Sequence, residues 1–170
     1  LARRYAGADS VVGLAARRKD LLEGLARGLP GQVPIYPLDV TDSAALGRAA
    51  QDFVSRYRAP DIVIANAGVS VGTAADDLYG TLKLARVLEI NVVGLAASLA
   101  AFAPAMRAAR SGTLVGIASA AGFRGLPGAG AYSASKSAAI TWLESLRVEL
   151  AGSGVSVVTI CPGFIDTPMT

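Results

Sequence analysis

The sequence contains no histidine. That absence excludes a Ser-His-Asp triad, an H-E-x-x-H zinc site and any imidazole general base within this chain. Cys161 is the only cysteine. An internal disulfide and a cysteine-rich zinc site are therefore excluded as well, no metal site is expected, and a reducing, cytoplasmic setting is the expectation. Charge is sparse at 17% of residues, and the net charge of +3 includes no dense basic run. Nothing here forms a nucleic-acid footprint. The longest apolar stretches read as too short or too interrupted by charge to span a bilayer. The opening residues, Leu1-Ala2-Arg3-Arg4-Tyr5-Ala6, read as the middle of a helix and not as a signal peptide.

What is present is apolar. Hydrophobic residues make up 52% of 170 residues. That suits one compact domain with a packed core. Short β-rich runs alternate with longer helical ones. Val11 to Ala15, Val33 to Leu38, Asp61 to Ala65, Thr113 to Ala118 and Val155 to Ile160 read as strands. Residues 17–28, a segment capped by Ser43, a long region from Leu82 to Arg110, and 132–151 read as helices. Pro104 should kink the long region or mark a boundary in it. Several strands are continuously apolar and do not alternate, which favours a parallel sheet covered by helices on both faces.

In such sheets ligands bind beyond the carboxyl ends of the strands. The residues there are Arg17-Arg18, Asp39-Val40, Asn66-Ala67-Gly68, Ser119 with Gly122, and Pro162-Gly163. Each alone is an ordinary turn; five at one edge suggest a site. Arg17, Arg18 and Lys19 open a helix, where positive charge opposes the helix dipole. They are either a solvated face or an anion site for a nucleotide phosphate. Tyr132 and Lys136 are four apart on a helix and share a face. An ammonium beside a phenol favours phenolate, which supplies proton chemistry without histidine. Tyr79 and Lys83 share the spacing, but Gly80 weakens a helix there, and Tyr79 reads as structural. Ser119 lies thirteen residues before Tyr132 at a strand tip. It can hold a substrate oxygen or satisfy its own turn.

Taken in order, Asn66-Ala67-Gly68, Asn91-Val92-Val93-Gly94, Ser119, Tyr132-Ser133-Ala134-Ser135-Lys136 and Pro162-Gly163 resemble the short-chain dehydrogenase/reductase family. The resemblance covers the whole chain. It implies a doubly wound, Rossmann-like α/β fold and NAD(P)-dependent hydride transfer. It implies Tyr132 as general acid/base, Lys136 as its activator and ribose contact, Ser119 as the group orienting the reacting oxygen, and Asn91 as holder of a relay water. It implies cofactor contacts at Asp39, Val40, Asn66, Ala67, Gly68, Tyr132, Lys136, Pro162, Gly163, Ile165 and Thr167. Asp39 is expected against adenine, with turn capping as its other reading. NAD users usually carry an acidic residue at the end of the second family strand. Here that place falls on Ala16, followed by Arg17 and Arg18. The expectation is NADP(H), with NAD(H) as the other candidate. The expected substrate is a small carbonyl compound or secondary alcohol flanked by Phe123, Leu126 and Phe164. A homodimer or homotetramer is implied, packing through the helices that carry Ala96, Ala100, Ala103, Ala138, Leu143 and Leu146. A non-catalytic dinucleotide-binding regulator or interaction module is the alternative.

The family pattern also begins with a strand and a glycine-rich phosphate loop. No G-x-G-x-x-G occurs in this sequence. Nor are the family's later substrate loop, helix and last strand found after Thr167-Pro168-Met169. Residues 1–170 therefore read as one domain incomplete at both ends. The missing strand should leave its two neighbours with unpaired edges.

Overall fold

The computed structural model describes residues 1–74, 76 and 78–165. Its elements run α1 (Ala2–Tyr5), β1 (Leu14–Ala16), α2 (Lys19–Arg27), β2 (Ile35–Pro37), α3 (Ser43–Tyr57), β3 (Ile62–Ala65), α4 (Gly80–Leu88), α5 (Leu95–Ala100), α6 (Ala103–Ala109), β4 (Thr113–Ile117), α7 (Gly130–Glu149) and β5 (Ser156–Ile160). All strand pairs among the described residues are parallel. β1 pairs with β2, and β3, β4 and β5 form a second ladder in that order. This is the expected Rossmann-like α/β architecture. Among the described residues no strand joins β1 to β3, so each keeps one unpaired edge, as the sequence implied.

Helices hold the two ladders together. Phe53 of α3 meets Phe102 edge-on, with ring centroids 6.1 Å apart. Gly94, just before α5, leaves room for Val40 beyond β2; a Cβ there would lie 2.7 Å from Val40 Cγ2. The main core lies on the β3–β4–β5 ladder, where Leu95, Leu99, Met106, Leu114, Leu143 and Val157 are buried together. Leu143 is thus core and not interface.

Several boundaries differ from the sequence reading. β1 starts at Leu14, although parallel pairing reaches back through an isolated bridge between Val11 and Gln32; Gly13, between that bridge and the strand, passes close to the Phe53 ring, where a Cβ would come within 3.0 Å. β2 starts at Ile35, since Pro34 has no N–H to donate, although its carbonyl accepts from Leu14 N–H at 2.9 Å. Arg18 is the N-cap of α2, so that helix begins two residues later than expected. Asp42, not Ser43, caps α3, accepting from Ala45 N–H at 2.9 Å.

The long helical region is not uniform. A π-helical turn at Glu89–Gly94 separates α4 from α5, and a second break precedes α6, whose first turn holds Pro104. Gly80–Ala109 is also long and apolar enough, by length and composition, to cross a membrane, contrary to the sequence reading. Val87, Leu99 and Met106 in it are fully buried, which is how a core helix packs.

Candidate functional site

α7 carries the central pair. Ser133, Ser135, Lys136 and Ala139 are buried, so the helix is seated deeply from its first turn. Its close approach depends on Gly122, in a short 3-10 turn beyond β4. A Cβ at Gly122 would lie 2.8 Å from the Lys136 carbonyl carbon and 2.7 Å from Ile140 Cδ1. Glycine there lets the Ser119 turn rest on the helix backbone beside Lys136. The sequence reading named Gly122 only as a turn residue.

Lys136 is 4% exposed, and its Nζ donates to the Ile117 carbonyl at 2.7 Å, at the end of β4. Nζ lies 5.7 Å from the centroid of the Tyr132 ring. Burial lowers the Lys136 ammonium from the ordinary lysine range to about 8, opposed in part by Cys161 nearby. Asn91 is fully buried inside the π turn. Such turns recur at functional sites because they re-aim one side chain. Asn91 Oδ1 accepts from Val69 N–H at 2.8 Å, and Nδ2 donates to the Val69 carbonyl and to Ser135 Oγ, each at 2.9 Å. Both amide hydrogens are committed, which leaves acceptor capacity on Oδ1 alone.

Ser119 begins the turn after β4, and its Oγ accepts from Ala121 N–H at 3.2 Å. The turn-capping reading is thus realised, while the hydroxyl hydrogen remains available to a second acceptor. Pro162 is brought beside this turn, since its carbonyl accepts from Ala120 N–H at 2.9 Å. Gly163 and Ile165 follow on an exposed segment. Thr167 lies outside the described residues. Phe123, Leu126 and Phe164 are all exposed, Phe164 at 93%.

Asn66, Ala67 and Gly68 follow β3 directly. Gly68 faces the polar centre: a Cβ there would lie 3.3 Å from Asn91 Oδ1 and 3.6 Å from Lys136 Nζ. Glycine therefore lets the backbone lie close to the two groups.

The second cluster lies at the ends of β1 and β2. Asp39 Oδ1 accepts from Thr41 N–H at 3.0 Å and from Thr41 Oγ1 at 2.9 Å. These bonds, and then the guanidinium groups of Arg17 and Arg86, hold its carboxyl below the usual carboxylate range. Arg17 comes within 3.9 Å of Asp39 Oδ2 and Arg86 within 3.8 Å. The sequence reading found no carboxylate at the end of β1. Parallel pairing brings one there, because Ala16 lies opposite Pro37 and Asp39 follows. The Arg17 side chain is 66% exposed, so this pairing is weak and leaves it available. Arg18 and Val40 flank the cluster.

The chain matches the short chain dehydrogenase model over residues 1–170. It belongs to the short-chain dehydrogenase family. It is 41% identical over 159 residues to an uncharacterized oxidoreductase of Myxococcus xanthus, covering 92% of this chain and 62% of that protein. NAD+-bound xylitol dehydrogenase superposes with a TM-score of 0.87 at 30% identity, covering 92% of this chain and 62% of that one. An alcohol dehydrogenase from Thermococcus sibiricus, complexed with 5-hydroxy-NADP, superposes with a TM-score of 0.86 at 25% identity, covering 98% of this chain and 69% of that one. The chain thus spans about 62% of the length of its Myxococcus relative. NAD+ and 5-hydroxy-NADP are both found bound among its structural neighbours.

Proposed function

We propose that the protein is an NADP(H)-dependent oxidoreductase acting on a carbonyl compound or secondary alcohol. One observation carries the reading: Lys136 is buried one helical turn from Tyr132, with its ammonium at the mouth of β4 where Ser119 opens the next turn. Burying a cation is costly, and a structural role would be met by an apolar residue. The close approach of the Gly68 backbone to Asn91 and Lys136 supports a cofactor contact at Asn66-Ala67-Gly68 beside those groups.

When bound, the cofactor supplies or accepts the hydride. The Tyr132 hydroxyl gives a proton to the substrate oxygen in reduction and takes it back in oxidation. The Lys136 ammonium favours the phenolate side of that exchange. Ser119 donates its free hydroxyl hydrogen to the same oxygen. Asn91 keeps one Oδ1 lone pair for a relay water beside Lys136. Asp39 and Val40 hold the adenine, and Asn66, Ala67, Gly68, Pro162, Gly163, Ile165 and Thr167 line the rest of the cofactor cleft. Arg17, exposed and followed by Arg18, supports a 2′-phosphate and hence NADP(H) over NAD(H). Exposed Phe123, Leu126 and Phe164 suit an apolar or mixed small substrate. Cytoplasmic placement and a homodimer or homotetramer complete the proposal.

The test is steady-state kinetics of the wild type and Tyr132→Phe with NADPH and with NADH over a panel of ketones, 3-oxoacyl thioesters, sugars and steroids. Tyr132→Phe should lose turnover by about 100-fold or more while binding cofactor normally. Full turnover in that variant would refute the role of Tyr132. A clear NADH preference in the wild type would refute the role of Arg17.

A further inference from the structure

We infer that Thr73 is a positioning residue for Tyr132, joining the floor of the cofactor cleft to the first turn of α7. The inference rests on the proposed role of Tyr132.

An α-helix leaves its first N–H groups without partners inside the helix. Ala129 precedes α7 and has no capping side chain. The cap comes instead from 58 residues upstream, where Thr73 Oγ1 accepts from Ala131 N–H at 3.3 Å. Thr73 N–H also donates to the Gly128 carbonyl at 2.9 Å, and Thr73 pairs with Ala129 in an isolated parallel bridge. Two backbone-anchored bonds therefore hold this loop to the residues that immediately precede Tyr132.

The carbonyl of Tyr132 is held from the other side. Ser135 Oγ donates to it at 2.7 Å and accepts from Asn91 Nδ2 at 2.9 Å. Asn91 grips both polar groups of the Val69 backbone. Val69 lies four residues before Thr73, so the bonds close into a ring. The segment 69–73 is tied at one end through Asn91 and Ser135 to the carbonyl of Tyr132. At the other end Thr73 ties it to the amide of Ala131. Asn66-Ala67-Gly68 lead directly into this segment. Displacement of the cleft floor is thereby coupled to the position of the phenol. Thr73 acts only through this backbone.

The inference is tested in the full chain with Thr73→Val, which keeps the shape and removes the acceptor, and Thr73→Ser, which keeps the acceptor. Thr73→Val should lower kcat about tenfold, because misplacing a reacting group is costly even over a fraction of an ångström. KM for the nicotinamide cofactor should stay within about twofold of wild type. Thr73→Ser should restore kcat. Wild-type kcat in the Val variant would overturn the inference. So would an equal loss of kcat in both variants, or a loss matched by KM and by thermal stability. Amide hydrogen exchange of the unmodified protein adds a reading that does not depend on either variant. Protection of the Ala131 amide is expected, and exchange as fast as an uncapped helix terminus would also overturn it. Tyr132→Phe separates the two readings. If that variant turns over normally, the Tyr132 assignment fails; if it is inactive while Thr73→Val is unimpaired, only the Thr73 inference fails.

Discussion

Lys136 combines a buried ammonium with one carbonyl partner among the described residues, at Ile117. Burial is the larger influence on it and lowers its pKa from 10.5 to about 8. The unfolded chain keeps this proton up to the ordinary value, while the folded chain releases it near 8. Between those limits the unfolded state binds more protons, so this group's contribution to stability rises with pH. Below 8 the folded state carries a burden of roughly 3 kcal/mol from it. Lys136→Met removes the titration. The wild-type melting temperature, measured relative to that variant, should therefore climb as the pH goes from 7 to 10. Groups that Lys136 does not touch cancel in the difference, so a difference that stays flat from pH 7 to 10 would refute the lowered Lys136 value. Such a buried charge is tolerated where its chemistry is used.

At the scale of elements, the junction between the ladders rests on Gly94. Its place in the π turn brings Val40 into contact, and a Cβ would press on the Val40 side chain and come within 3.4 Å of its carbonyl oxygen. Gly94→Ala should cost about 1–3 kcal/mol from overpacking. It should also raise KM for the cofactor, because Asp39 moves with Val40. Gly47 in α3 has nothing within 4 Å of the same atom. Gly47→Ala should instead stabilise by about 0.5–1 kcal/mol through helix propensity. Thermal melts of the pair check both signs, and equal shifts would refute the packing account.

The same elements show what could be read in advance. β3, β4 and β5 were legible as short, mainly apolar runs bounded by turn residues, and α7 as the long helical run between β4 and β5. Asn91, Ser119, Tyr132 and Lys136 were legible as a set, and the structure brings the end of β4, the π turn and α7 together around Gly68 and Gly122. The π turn itself was not. Residues Glu89–Gly94 include no proline, and their one glycine is fixed by contact with Val40, a neighbour distant in sequence. The cap on α3 was misplaced by one residue because Asp42 and Ser43 are both good caps. Thr73 gave no local signal, because its partner is 58 residues away.

At the scale of the molecule, α7 divides its surface. One side, with Ala139 and Leu143, is fully buried on the ladder. The other borders an open groove lined by Val92, Ala134, Ser137, Ala138, Thr141 and Trp142. Small side chains along this helix allow another helix to approach closely and pack ridge into groove. Val93 at 54% and Val148 at 76% exposure extend the apolar character along the same elements. In the proposed homodimer or homotetramer, an isologous contact through this face would set α7 against its own image. Of the helix residues expected at such a contact, Ala138 lies in the groove, while Leu143 is core and Leu146 packs against it. Thr141 is exposed, and among the described residues its side chain bonds to the Ser137 carbonyl within its own helix. Thr141→Arg would place a long cation in the groove of each copy, like facing like, without disturbing the core. Sedimentation of the wild type should show a dimer or tetramer, and the variant should fall to a smaller species with its melting profile at low concentration unchanged. A wild type that sediments as a monomer at micromolar concentration would refute the assignment of this face.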